Sequence, residues 1–312
     1  MRNPFLERLS RKRPFLLDTG LSTELERRGA SLDPRLWSSR LLLDAPDLIV
    51  SVHLDNLRAG AQVITTATYQ ASFEGFARTL KLSRDASRKL MARGVDLARQ
   101  AVRMYLEEKP SSAAHPPAIA GSLGPYGAYL ANGSEFRGDY VVDSVTLEDH
   151  HAPRIETVLA AGVDVIAFET LPRTDEALIV AELLERFAPP AAWISFSTRS
   201  PEELADGDSL EEAARDLSEA RHVSAIGLNC CPPSRIAPAL DVLRSATSRP
   251  LLVKPNSGEE WVDGAWRPGA EAESIPGLVH DWLQRGALGV GGCCRTRPHL
   301  LRVLSETGLF EP

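Results

Sequence analysis

Four cysteines occur in the chain, and they fall in two adjacent pairs, Cys230-Cys231 and Cys293-Cys294. Clustering in the last third is unlike the spread of cysteines in a disulfide-stapled secreted domain. Thiolates are soft ligands that suit zinc. Vicinal thiols also exchange disulfides, and free cysteine is among the most buried residue types. No C-x-x-C spacing is present, so spacing alone leaves metal binding, redox exchange and plain burial open. Adjacent residues of a regular strand point to opposite faces, so Cys293 and Cys294 can share an ion only if the strand is broken. The preceding Gly291-Gly292 permits a bulge or turn. Nothing comparable precedes Cys230, and Pro232-Pro233 follows Cys231 at once. The expected ligands are therefore Cys230, Cys293 and Cys294, with Cys231 a bystander. Three thiolates leave one tetrahedral position open, as in catalytic zinc sites.

The elements that must bring the pairs together are legible in the hydropathy pattern. Near-continuous apolar runs, as expected of strands buried on both faces of a parallel sheet, lie at 15–20, 61–69, 118–124, 163–170, 191–198, 224–230, 250–256 and 287–294. Amphipathic segments alternate with them at 47–59, 84–108, 147–161, 174–187, 209–220, 234–245, 274–285 and 297–306. Helix starts are signalled by Asp44-Ala45-Pro46-Asp47, by Thr146 and by Thr174-Asp175-Glu176. Eight βα rounds in 312 residues predict an α/β fold, a (β/α)8 TIM barrel formed as one domain over 1–312. An open doubly wound sheet is the runner-up, but Asp18-Thr19-Gly20-Leu21-Ser22-Thr23 after the first run lacks its glycine fingerprint. The connections 21–45, 70–83, 125–146 and 257–273 are long, and all follow strand C-termini, the face on which barrel active sites lie.

Polar residues end these runs: Asp18, Thr68-Tyr69, Ser122, Glu169-Thr170, Asn229-Cys230, Asn256 and Cys293-Cys294. In a closed barrel they converge on one mouth. Asp18 and Glu169 end apolar runs with no evident local cationic partner, which suits them to a substrate's α-amino group; a helix cap for Asp18 and a structural ion pair for Glu169 are the alternatives. Trp37, Tyr69, Tyr126 and Tyr129 lie in or beside the long loops and could hold a cationic ligand over their rings, though single aromatics more often pack. The histidines form no H-x-x-x-H or H-E-x-x-H pattern and are read as solvated or core residues. A net charge of −7 without a basic patch argues against nucleic acid as a partner. No apolar run reaches a membrane span, and charges interrupt the N-terminal segment before any signal-peptide core forms. A cytoplasmic protein with no membrane partner is expected.

Seven ordered motifs resemble the homocysteine S-methyltransferases: Asp18-Thr19-Gly20-Leu21-Ser22-Thr23-Glu24-Leu25, Thr65-Thr66-Ala67-Thr68-Tyr69-Gln70-Ala71-Ser72, Ala120-Gly121-Ser122-Leu123-Gly124-Pro125-Tyr126-Gly127-Ala128, Phe168-Glu169-Thr170, Gly227-Leu228-Asn229-Cys230, Pro255-Asn256-Ser257-Gly258-Glu259 and Gly291-Gly292-Cys293-Cys294. The resemblance covers nearly the whole chain. It implies Zn2+ on Cys230, Cys293 and Cys294, with the homocysteine sulfur completing the tetrahedron. It further implies a substrate-binding set of Asp18, Thr19, Gly20, Glu169 and Asn229, a methyl-donor pocket of Trp37, Tyr69 and Tyr126, and no catalytic group beyond the metal. The segment from Tyr126 through Glu135 is similar to the branch using S-methylmethionine or S-adenosylmethionine, with methionine as product. Partners are then small molecules, and the chain a monomer or weak homo-oligomer. Alternatives are a betaine- or selenocysteine-using relative and, in another class, a vicinal-dithiol redox or regulatory protein. Two positions depart from the family: Thr19 where glycine is usual, and Lys254 where an aromatic is common.

Overall fold

The computed structural model describes residues 3–262, 265–267 and 275–310. Eight parallel strands form the sheet: Phe15–Leu16 (β1), Val63–Thr65 (β2), Ala118–Leu123 (β3), Val165–Leu171 (β4), Ala192–Phe196 (β5), Val223–Asn229 (β6), Leu251–Lys254 (β7) and, beyond a separate antiparallel hairpin of Glu260–Val262 (β8) and Ala265–Arg267 (β9), Ala287–Val290 (β10). Their order is β1-β10-β7-β6-β5-β4-β3-β2, and a parallel bridge between Leu17 and Val63 joins the ends into a closed barrel. The TIM-barrel expectation holds, and the open sheet is excluded.

Two apolar layers follow from the alternation of side chains along each strand. Outward residues pack on the helices, while inward ones, among them Val63, Ala118, Ala120, Val165, Ala167, Ala225 and Leu252, form a separate core inside the barrel. So many inward alanines leave room at one end, and the helix Pro4–Arg11 fills it. Its Phe5, fully buried, meets Phe15 edge-on and Trp193 at 5.4 Å between ring centroids. Asn3 caps this helix by accepting from the Phe5 and Leu6 N–H groups. Phe5→Ala is expected to cost about 3–5 kcal/mol of stability, measured by urea unfolding, because it removes a fully buried ring from its contacts with Phe15 and Trp193. A loss under about 1 kcal/mol would show that the plug is dispensable.

The strands prove shorter than the apolar runs, chiefly at their C-terminal ends, where the chain leaves the sheet to build the mouth. The expected run 287–294 stops as a strand at Val290, and 61–69 narrows to Val63–Thr65. The long connections hold helices that the pattern does not mark: Leu21–Arg27 and Leu41–Asp44 after β1, Phe73–Leu80 after β2 and Tyr126–Leu130 after β3. The cap of the helix Ser144–Ala160 is Asp143, which accepts from the Thr146 N–H, and not Thr146 itself. Of the connection 257–273, residues 263–264 and 268–273 lie outside the described residues, as does the expected helix start at 274. Among the described residues no helix is long and apolar enough to cross a membrane.

Candidate active site

Most of the strand ends named above open on one cavity of about 880 Å3, lined among others by Thr19, Gly20, Trp37, Tyr69, Ser122, Glu135, Glu169, Asn229, Lys254 and the cysteines 230, 293 and 294, whereas Asp18, Thr68 and Asn256 are buried behind its wall. The three cysteine Sγ atoms lie within 4.8 Å of one another, and those of Cys293 and Cys294 are 4.0 Å apart. Sulfurs on a tetrahedral zinc with bonds of about 2.3 Å stand about 3.8 Å apart, so the donor set fits that ion. Cys231 is outside this cluster, buried in the outer core with its thiol pushed up to about 12 by burial.

Two departures from regular strand geometry create the trio. Cys230 has φ 54°, a left-handed conformation unusual for a residue with a side chain, fixed by its N–H to Lys254 O and by Asn256 Nδ2 to its own carbonyl. After Val290 the chain turns inward through Gly291 and Gly292. A Cβ at Gly291 would stand 2.6 Å from Asp18 O, and one at Gly292 2.2 Å from Thr296 Oγ1, so side chains are excluded here. The N–H groups of Gly291, Gly292 and Cys293 donate to Val253, Asp18 and Pro255, outside any regular ladder. This break lets both adjacent cysteines reach the cavity. Side-chain hydrogen bonding with Cys230 and Cys294 holds the Cys293 thiol well below its ordinary pKa, with Lys254 adding attraction. Hydrogen bonding with Cys293 and Cys294, and burial, push the Cys230 thiol well above its ordinary value. Cys294, although lowered by Cys230, is pushed up by Cys293 and burial, so the trio by itself shares one thiolate and a bound cation would favour ionisation of the other two.

A similar irregularity serves Glu169. The β4–β5 register shifts between Phe168 and Leu171, Thr170 has φ 67°, and both Glu169 and Thr170 consequently line the cavity. Asn229 Nδ2 donates to Thr170 Oγ1 at 2.7 Å, which leaves Asn229 Oδ1 buried without a partner.

Asp18 and Glu169 do not lack a cation. Lys254 Nζ donates to Asp18 Oδ1 at 3.0 Å and to Glu169 Oε1 at 2.9 Å, with all three side chains buried. Burial works against the Lys254 charge, but the two carboxylates more than offset it and hold the ammonium protonated. Burial raises the Glu169 carboxyl, opposed by Lys254 and by Ser122 Oγ. The partner was invisible along the chain because 85 residues separate Lys254 from Glu169. Thr19 is also committed: its N–H and Oγ1 both donate to Asn56 Oδ1, turning the hydroxyl away from the cavity.

The expected donor aromatics divide. Trp37 and Tyr69 line the cavity, whereas Tyr126 is not among its lining residues. The Tyr126 ring packs on Tyr129, Tyr140 and His150, while its N–H donates to Glu176. Burial favours a neutral Glu176, but His151, Tyr140 and the Tyr126 N–H hold its carboxyl below the ordinary value. Arg154, buried alongside, donates to the Tyr69, Ala71 and Gly124 carbonyls. His150 and His151 are thus core residues of the network that fixes the β2 and β3 loops. Sequence reasoning passed over Glu135, which lines the cavity and whose Oε2 is enclosed with no hydrogen-bond partner. Burial pushes its carboxyl up to about 7.

A closed barrel carrying a cysteine trio at the C-terminal mouth of its strands defines a barrel with a cluster of thiols that could hold a metal ion where barrel active sites lie. Comparison with known proteins narrows this. The homocysteine S-methyltransferase family model matches residues 15–307, and the chain belongs to that family of methyltransferases. It is 42% identical to the homocysteine S-methyltransferase of Escherichia coli (strain K12), covering 95% of this chain and 96% of that one. It is 38% identical to a selenocysteine methyltransferase of Astragalus bisulcatus, covering 93% and 91%. The metallated form of the homocysteine methyltransferase MmuM from Escherichia coli superposes with a TM-score of 0.89 at 40% identity, covering 98% of this chain and all of that one.

Proposed function

We propose that the protein transfers a methyl group from a sulfonium, S-methylmethionine or S-adenosylmethionine, to the thiol of homocysteine, giving methionine. The observation that carries this reading is the trio of Cys230, Cys293 and Cys294, gathered at one cavity with Glu169, Glu135, Trp37 and Tyr69 on its walls. Zinc held by these cysteines would supply the acceptor as a thiolate at neutral pH, where a free thiol of pKa ~8.5 is mostly protonated.

The chain's own residues align the reactants. The acceptor thiolate attacks the methyl carbon in line with the donor sulfur; the new S–C bond forms as the old one breaks, and its electron pair leaves the donor as a neutral thioether. No proton moves in this step, so the cavity needs no general base. Trp37 and Tyr69 offer aromatic rings to the sulfonium, and Glu135 offers a carboxyl, raised to about 7 by burial, that a cation would ionise. Selenocysteine is a second candidate acceptor, supported by the Astragalus relative.

Zinc-loaded protein incubated with homocysteine and, in turn, S-methylmethionine, S-adenosylmethionine and betaine should form methionine from a sulfonium at least tenfold faster than from betaine. Absence of methionine with all three donors, at one zinc per chain, would overturn the reading. A reduced protein that retains no zinc would favour the vicinal-dithiol alternative.

A further inference from the structure

Each of the four carboxylate oxygens of Asp18 and Glu169 already has a donor. Lys254 Nζ serves Asp18 Oδ1 and Glu169 Oε1, the Thr65 N–H and Oγ1 serve Asp18 Oδ2 at 2.6 and 2.8 Å, and Ser122 Oγ serves Glu169 Oε2 at 2.7 Å. The Lys254 ammonium thus stands between the two acids, where an amino-acid substrate would place its own. Its position is fixed by the barrel: Lys254 pairs with Asn229 across β6 and β7, and its carbonyl accepts from the Cys230 N–H, so it is built into the same wall as the cysteine trio. Adding a second ammonium here would require two cations to share two carboxylates in a buried space, or Lys254 to leave a pocket in which it is 6% exposed. Sharing would balance the charges, but Lys254 occupies the inner oxygens of both acids and Asp18 does not line the cavity, so a second ammonium can approach only Glu169; displacement leaves a buried ammonium without its partners.

The geometry points to Lys254 as the residue that sets acceptor specificity: it supplies the cation internally, so the site takes small thiol carboxylates without requiring a free α-amino group. An ammonium has three N–H donors. Two go to Asp18 and Glu169, and the third is available to an anionic head group in the cavity that Lys254 lines. The acceptor is then read by its thiol and its carboxylate, with the amino group contributing little.

This inference rests on the proposed thiol methylation for its setting, but it can be tested without turnover. Binding of methionine and of its deamino analogue, 4-(methylthio)butanoate, is measured by calorimetry on the wild-type protein. The deamino compound should bind within fivefold of methionine. Steady-state methylation of homocysteine and of 4-mercaptobutanoate should give values of kcat/KM within fivefold of each other. In Lys254→Met, the acids regain their need for a cation, and the preference for the amino-bearing compound should rise at least tenfold in both measurements. A wild-type preference for the amino acids of fivefold or more overturns the inference, whether or not the variant folds. So does an unchanged ratio in folded Lys254→Met. If neither thiol is methylated while the binding ratios behave as expected, the proposed reaction fails and the role of Lys254 stands. If homocysteine is methylated and strongly preferred over its deamino analogue, the reaction stands and the role of Lys254 fails.

Discussion

Cys294→Ser is expected to lose zinc and turnover together, with less than a tenth of the metal retained after dialysis against a mild chelator and kcat lower by at least about 10³-fold. The reasoning is coordinative. A serine hydroxyl is a hard, largely protonated donor, and two remaining thiolates cannot hold the ion as three do. Two vacated positions in place of one would also leave the acceptor thiol poorly oriented, so partial metal reloading should not restore the rate. The matched control is Cys231→Ala, which removes a thiol one residue from a proposed ligand but outside the cluster. It should keep one zinc per chain and at least a third of the activity, with a stability loss from its buried position. Metal analysis and turnover on the two variants decide the assignment. A zinc-free, fully active Cys294→Ser enzyme would remove the metal from the reaction, and equal losses in both variants would show that the pairs act as equivalent thiols.

The asymmetry within the cysteine pairs illustrates what a linear sequence discloses about a barrel. Alternation of apolar runs with amphipathic segments reports burial on both strand faces, and that signal survives without any long-range information. The polar residue closing each run reports the mouth for the same reason: a polar group at the end of a buried strand needs somewhere to point. Gly291-Gly292 was a readable sign of a strand about to break, since only a residue without Cβ tolerates such close approach. Cys230 and Thr170, which reach positive φ without a glycine, leave no such sign. Tertiary hydrogen bonds impose those conformations. Lys254 is a harder case. Along the chain it is a charge before Pro255-Asn256, and only closure of the barrel shows that β1, β4 and β7 aim Asp18, Glu169 and Lys254 at one point. Tyr126 errs in the opposite direction. Proximity to a long loop suggested a donor-facing ring, but the short helix Tyr126–Leu130 turns it toward Tyr129, Tyr140 and His150.

Glu135→Gln should lower kcat/KM for a sulfonium donor by about 10- to 100-fold, change KM for the acceptor less than threefold, and stabilise the ligand-free protein at alkaline pH. The three effects share one cause. Glu135 Oε2 is enclosed without a partner, and burial raises the carboxyl from 4.5 to about 7. A carboxyl whose folded-state pKa is raised binds its proton more tightly folded than unfolded. Its favourable contribution is therefore fully present below pH 4.5 and is lost as pH rises through about 7, where the folded protein must carry a desolvated anion that its own backbone N–H and the attraction of Arg137 offset only in part. Glutamine carries no such charge, so its advantage in denaturant unfolding should grow between pH 5 and pH 8, reaching roughly 1–3 kcal/mol. A cationic donor reverses the balance: it gives the ionised carboxylate the partner the empty fold withholds, and an attraction across a poorly solvated site accounts for the loss in kcat/KM. Donor binding near pH 7 should consequently release protons in the wild-type protein, seen as a buffer-dependent heat in calorimetry, and the release attributable to this carboxyl should vanish in Glu135→Gln. Equal donor kinetics and the same proton release in the variant would show that this carboxylate faces the cavity without meeting the donor.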